Sequence, residues 1–202
     1  MKRVLASLLL ALGLVGQVQA QGDPQAGRGK AALCGACHGM DGNSPVPNFP
    51  KLAGQGEPYL LKQLREIKAG SGRKVFEMTG MLDARDEQEL ADIAAYFAMQ
   101  KPLSGYADPA LVERGEQLFR GGDMALGVPA CSGCHAPDGV GNGPARFPRL
   151  AGQHSAYTAK QLNDFRDGVR SNDGDAMPMR AIAARLGKRD IEALASYIQG
   201  LH

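Results

Sequence analysis

The apolar positions of this chain recur at helical spacing. Leu60, Leu61, Leu64 and Ile67 follow Pro58 and end at Gly70, which predicts one amphipathic helix. Asp86 followed by Glu89 reads as a capping box, ahead of Leu90, Ile93, Ala94 and Phe97 on one helix face. Both designs return later. A helix is predicted over 155–167, stopped by Gly168, and another carries Ile191, Leu194, Ala195 and Ile198 before Gly200. Asp23 and Asp108 each precede a proline, Pro24 and Pro109, an arrangement of N-cap carboxylate and first-turn proline that opens a helix. Alternating strand patterns are absent, so the expected fold class is all-α.

The N-terminus follows another rule. Lys2 and Arg3 precede an almost wholly apolar stretch over 4–18, and Val18-Gln19-Ala20 offers small residues for cleavage. This predicts a secretory signal peptide over residues 1–20 and an exported mature chain. The stretch is shorter than the ~20 residues of a spanning helix, and Gly13, Gly16 and Gln17 interrupt it. The product is expected in the periplasm, soluble or at most peripheral to a membrane.

The remainder repeats itself. Phe49-Pro50-Lys51-Leu52-Ala53-Gly54-Gln55 returns as Phe147-Pro148-Arg149-Leu150-Ala151-Gly152-Gln153, 98 positions later. Cys34-Gly35-Ala36-Cys37-His38 returns as Cys131-Ser132-Gly133-Cys134-His135, 97 later, and Ile93-Ala94-Ala95-Tyr96 faces Leu194-Ala195-Ser196-Tyr197 at 101. Matching Arg28-Gly29 to Arg114-Gly115 places an 11-residue insertion at 120–130. Two copies of one module are expected, over 21–101 and 102–202, joined by a Pro- and Gly-containing linker at 101–107. Gly29 and Gly115 are the positions expected to let the first helix of each copy cross the last, near Tyr96 and Tyr197.

Charge narrows the partners only by exclusion. Residues 21–101 carry ten positive and ten negative side chains and residues 102–202 carry eleven of each, so no basic footprint for a nucleic acid exists.

The four cysteines settle the chemistry. Each pair is Cys-x-x-Cys followed immediately by His, the attachment motif of c-type haem. Two thiols one helical turn apart can add to the two vinyl groups of a haem, and the adjacent imidazole then reaches the iron from the same side. Zinc is disfavoured because each copy supplies only two Cys and one His. A thioredoxin-like dithiol lacks its βαβ setting. Two haem c groups are therefore expected, held covalently by Cys34, Cys37, Cys131 and Cys134, with His38 and His135 as proximal iron ligands. A module of this size buries a modest surface, and neither copy is expected to fold without its haem.

For the opposite axial ligand the candidates are Met78 and Met81 in the first copy, Met177 and Met179 in the second. Measured from Tyr96 and Tyr197, only Met78 and Met179 fall in register, which favours that pair. Met177 stays open, because Pro178 would stiffen its loop. A thioether opposite imidazole raises the reduction potential and excludes oxygen and peroxide. The carbonyls of Pro50 and Pro148 are expected to accept from the other ring nitrogen of His38 and His135. Lys51 and Arg149 are either propionate contacts or solvated bases, and His154 and His202 read as surface residues.

These motifs, with Met78-Thr79-Gly80-Met81 and the Tyr197-Ile198-Gln199-Gly200-Leu201 ending, resemble the dihaem cytochrome c4 family over essentially all of residues 21–202. The resemblance implies tandem class I cytochrome c domains with haem edges meeting between them. It also implies a periplasmic monomer, often loosely membrane-associated, that carries electrons from a bc1-type complex towards a terminal oxidase. A dihaem peroxidase is the enzymatic rival, but one iron would then have to be open, whereas methionine is available to both.

Overall fold

The computed structural model describes residues 22–202; the expected signal peptide lies outside the described residues. The first module contains α1 (Pro24–Lys30), α2 (Gly35–His38), α3 (Glu57–Ala69) and α4 (Glu87–Ala98), with a 3-10 turn at Phe76–Met78. The second contains α5 (Pro109–Gly121), α6 (Ser132–His135), α7 (Ser155–Arg166), α8 (Pro178–Ala183) and α9 (Lys188–Gly200). Among the described residues there is no sheet, only the isolated bridges Asp123 to Val128 and Asn142 to Phe147. No described helix is long and apolar enough to cross a membrane.

Local chemistry sets the helix ends. The Asp23 carboxylate accepts from the Gln25 and Ala26 N–H groups, and Asp108 does the same for Ala110 at 2.9 Å. Asp86 accepts from Glu89 N at 2.8 Å while Glu89 reaches back to Asp86 N at 3.1 Å, closing the capping box of α4. Gly70 ends α3 at φ +64°, in the left-handed region that glycine enters without steric cost.

In each module the first helix crosses the last. The close approach is at Gly27 and Gly115: a Cβ there would collide with the carbonyl of Asp92 or of Ala193. Gly29 has nothing near it, which corrects the expectation drawn from the Arg-Gly match. With Gly27 aligned to Gly115, Ala31 (1% exposed) takes the place of Phe119 (0%), and the insertion before the second cysteine pair shortens to nine residues. The core of the second module gathers Leu118, Phe119, Val128, Leu186, Ile191, Leu194 and Ile198. That of the first is smaller, built on Ala31, Leu60, Ile93, Ala94 and Phe97.

Candidate haem-binding sites

The haem-attachment motifs form single helical turns. His38 N bonds Cys34 O and His135 N bonds Cys131 O, each at 2.9 Å, so both thiols and the imidazole of a motif project from about one turn of backbone. Gly39 then turns the chain at φ +77°. Ala136 does so in the second copy at φ +65°, a conformation that costs an L-residue of the order of 1 kcal/mol.

The expected proline contacts are present. His38 Nδ1 lies 2.9 Å from Pro50 O, and His135 Nδ1 lies 2.9 Å from Pro148 O. Since a carbonyl only accepts, Nδ1 carries the proton and Nε2 keeps its lone pair. Burial holds both imidazoles below their ordinary pKa, against the opposing pull of the proline carbonyls, and Arg73 adds to the lowering at His38. A neutral, oriented imidazole is the form that ligates iron.

The segments after the prolines explain why the sequence repeats there. Leu52 and Ala53 both bond Gly42 O, and Leu150 and Ala151 both bond Gly139 O. Gly54 N reaches Phe97 O and Gly152 N reaches Ile198 O, each at 3.0 Å, which ties the loop to the last helix of its module. Gly42 and Gly139 sit at φ +75° and +70° against these strands of chain, where a Cβ would clash with Ala53 or Ala151 and with Phe97 or Leu201.

The two copies also grip each other. Gln55 Nε2 donates to Arg149 O at 2.9 Å and its Oε1 accepts from Arg149 N at 2.8 Å. Gln153 repeats the exchange with Lys51, at 2.9 Å both ways. Lys51 Nζ donates to Leu103 O and Gly152 O at 2.6 and 2.9 Å, so it braces the linker instead of standing in solvent. His154 is corrected as well: its Nε2 lies 2.8 Å from Ser44 O in the other module, while His202 is exposed as expected.

Sequence reasoning passed over two buried cations. Arg73 and Arg170 are each 7% exposed. Arg73 donates to Gln63 and, at 2.7 Å, to the Tyr157 hydroxyl of the opposite module. Arg170 donates to Gln161 at 2.7 Å, Asn172 at 2.8 Å and the Tyr59 hydroxyl at 3.1 Å. Burial alone would push the Tyr59 phenol up, but Arg170 and Arg73 beside it outweigh that and bring it down to about 8. The Nε atoms of Arg73 and of Arg149 are buried without a partner. A buried guanidinium that faces neutral acceptors with a donor to spare, as Arg73 does, suits an anionic group such as a haem carboxylate. The offset of 97 from Arg73 to Arg170, the same as that of the cysteines, was the signal available in the sequence.

The methionines separate by environment. Met179 is half-buried against the second core, while Met177 is 47% exposed at φ +48°. Met78 is half-buried at the end of the 3-10 turn, and Met81 is 45% exposed.

Comparison with known proteins agrees with this construction. The cytochrome c family model matches residues 26–100 and again 112–202. The chain is 67% identical to a cytochrome c4 of Stutzerimonas stutzeri and 64% identical to one of Azotobacter vinelandii, each match covering all of both chains. It superposes on the crystal structure of reduced recombinant cytochrome c4 from Pseudomonas stutzeri with a TM-score of 0.88 and 68% identity, over 90% of this chain and all of that one. Repeat, fold and relatives agree that the chain belongs to the cytochrome c family, among the cytochromes c4, electron-transfer proteins of two tandem domains with two covalently bound haem c groups.

Proposed function

We propose that this protein is a periplasmic shuttle that takes single electrons from a quinol-oxidising, bc1-type complex and delivers them towards a terminal oxidase. The modules divide near residue 101, after the signal peptide at 1–20 is removed. Cys34 and Cys37 hold one haem and Cys131 and Cys134 the other. His38 and Met78 would ligate the iron of the first haem, His135 and Met179 that of the second. Each haem c, when bound, supplies an iron that gains and loses one electron.

The chain's own residues tune and protect that exchange. The Pro50 and Pro148 carbonyls fix the ring orientation of His38 and His135 and increase the basicity of Nε2. Closing the far side with a thioether favours the reduced state and bars oxygen and peroxide, which separates a carrier from a peroxidase. Arg73 and Arg170 place positive charge where the two modules meet, and a nearby cation also favours the reduced state. The observation that carries this reading is the matched pair of His–Pro contacts, both 2.9 Å, with a half-buried methionine in register in each module.

Denaturing mass spectrometry is expected to find two haem adducts on the mature chain. A redox titration followed by absorbance should lose one Met–iron charge-transfer band in Met78→Ala and one in Met179→Ala, and none in Met177→Ala. Loss of a band in Met177→Ala alone overturns the second assignment. A high-spin ferric haem with peroxide turnover in the wild type overturns the carrier.

A further inference from the structure

The even charge of the two modules conceals a segregation along one matched segment. Over residues 76–89 the first module carries Glu77, Asp83, Asp86, Glu87 and Glu89 against Arg85 alone. Over 177–190 the second carries Arg180, Arg185, Lys188 and Arg189 against Asp190 alone. Internal pairs remove some of these: Glu87 with Arg65, Glu89 with Arg85, Arg180 with Asp173. Glu77, Asp83 and Asp86 are left exposed on one module; on the other Arg185 and Arg189 are exposed, with Lys188, whose side chain is 88% exposed and whose ammonium lies 3.9 Å from Glu192, at the limit of pairing.

A second feature lies beside the basic group. The insertion before Cys131 forms a hairpin that the first module lacks. Asp123 and Val128 exchange backbone bonds of 2.8 and 2.9 Å, and Val128 is buried in the core. Arg114 holds Asp123 at 2.9 Å, and Arg185 donates to Gly127 O at 2.8 Å. This frame keeps Met124, 95% exposed, and Leu126, 41% exposed, in water. A preformed apolar tip loses little freedom on binding, and an apolar centre with a charged border is the usual anatomy of a protein interface.

We propose that the hairpin tip, with Arg185, Lys188 and Arg189, is the docking surface for an electron-exchanging protein that presents an acidic face. The cations steer the approach and Met124 enters the contact. This rests on the electron-carrier reading above.

Stopped-flow oxidation of the ferrous holoprotein by cupric plastocyanin, an acidic copper protein, tests it. One electron leaves iron(II), which becomes iron(III), and reduces copper(II) to copper(I). The wild-type rate constant is expected to fall about tenfold or more as salt screens the ridge. Lys188→Glu/Arg189→Glu, and the same pair with Arg185→Glu, should lose about tenfold at low salt and flatten the salt dependence, with haem absorbance unchanged. Met124→Ser should lower the rate at all salt concentrations, and Asp83→Lys should not lower it. Unchanged rates and salt slope in the charge-reversed variants overturn the proposal. So does salt-sensitive self-association of the wild type in sedimentation velocity that these variants abolish, which assigns the ridge to a second copy. Ridge-dependent retention on phosphatidylserine vesicles, with plastocyanin rates unmoved, overturns it in favour of a membrane. Failure of even hexacyanoferrate to oxidise the ferrous protein sinks the carrier reading itself, a result distinct from failure of the surface alone.

Discussion

The two modules solve the same packing problem with different materials. In the first, α1 has seven residues and leans on charge: Asp92, 2% exposed, accepts from Asp23 N and Gln88 Nε2, both at 2.8 Å, and pairs with Lys30. In the second, α5 has thirteen residues and the matched position is Ala193. There Asp108 N is received by a neutral hydroxyl, Ser196 Oγ, at 2.8 Å, and Leu118 and Phe119 supply buried apolar bulk. A short crossing helix buries too little apolar surface to hold itself, and a buried ion-pair network compensates. The longer helix carries a more exposed one instead, in which Arg114 pairs with Asp123 at 2.9 Å and Asp190 at 2.7 Å, both carboxylates 16% exposed. Resistance to acid should therefore differ between the halves even though their backbones match.

Removing a haem is the severest way to break the comparison. Cys34→Ser/Cys37→Ser and Cys131→Ser/Cys134→Ser should each leave one haem by mass. In each, the half without haem should lose its protection from hydrogen exchange, and the loss should be more complete in the first module, whose core is smaller. Next comes the core itself. Phe119→Ala should cost about 3–5 kcal/mol in the second module by thermal or denaturant unfolding. The matched Ala31→Phe should overpack the first by about 1–3 kcal/mol.

Asp92→Asn sharpens the electrostatic side, with an expected cost of about 1–3 kcal/mol confined to the first module. Burial opposes the charged Asp92 carboxyl, but the bonds from Lys30, Asp23 N and Gln88 outweigh it and hold its pKa below the ordinary 3.8. Because the folded value is depressed, this stabilisation is present above about 3.8 and disappears as pH falls through the folded value. Hydrogen exchange measured against pH should show the first module opening at higher pH than the second, and Asp92→Asn should flatten that acid limb. The smallest effect is at Gly29, which sits inside α1 with free space around it; Gly29→Ala should stabilise by up to about 1 kcal/mol, whereas Gly27→Ala should destabilise.

Helices, caps and haem motifs were legible in the sequence because each depends on neighbours three or four residues apart, as in Asp86 with Glu89 or Cys34 with Cys37. The crossing glycine was misplaced for the opposite reason. Arg28-Gly29 matches Arg114-Gly115 in letters, but Gly27 faces α4, and only the packed geometry distinguishes them. The cross-module contacts were the least legible. Nothing local marks Arg73 as the partner of Tyr157, His154 as the partner of Ser44, or Lys51 as a brace for the linker, since these contacts join positions about 50 to 110 residues apart.

The reciprocal amides of Gln55 and Gln153 bear on how such a chain can change over generations. Each glutamine seats its carboxamide on the backbone of the other copy's Phe-Pro-Lys or Phe-Pro-Arg loop, so a substitution in either copy strands a buried group in both. Duplicated segments are normally free to drift apart once each has its own task. Here the handshake couples their fates, which is a reason for a glutamine to close Leu-Ala-Gly-Gln in both halves, where the leucine, alanine and glycine serve contacts within their own module.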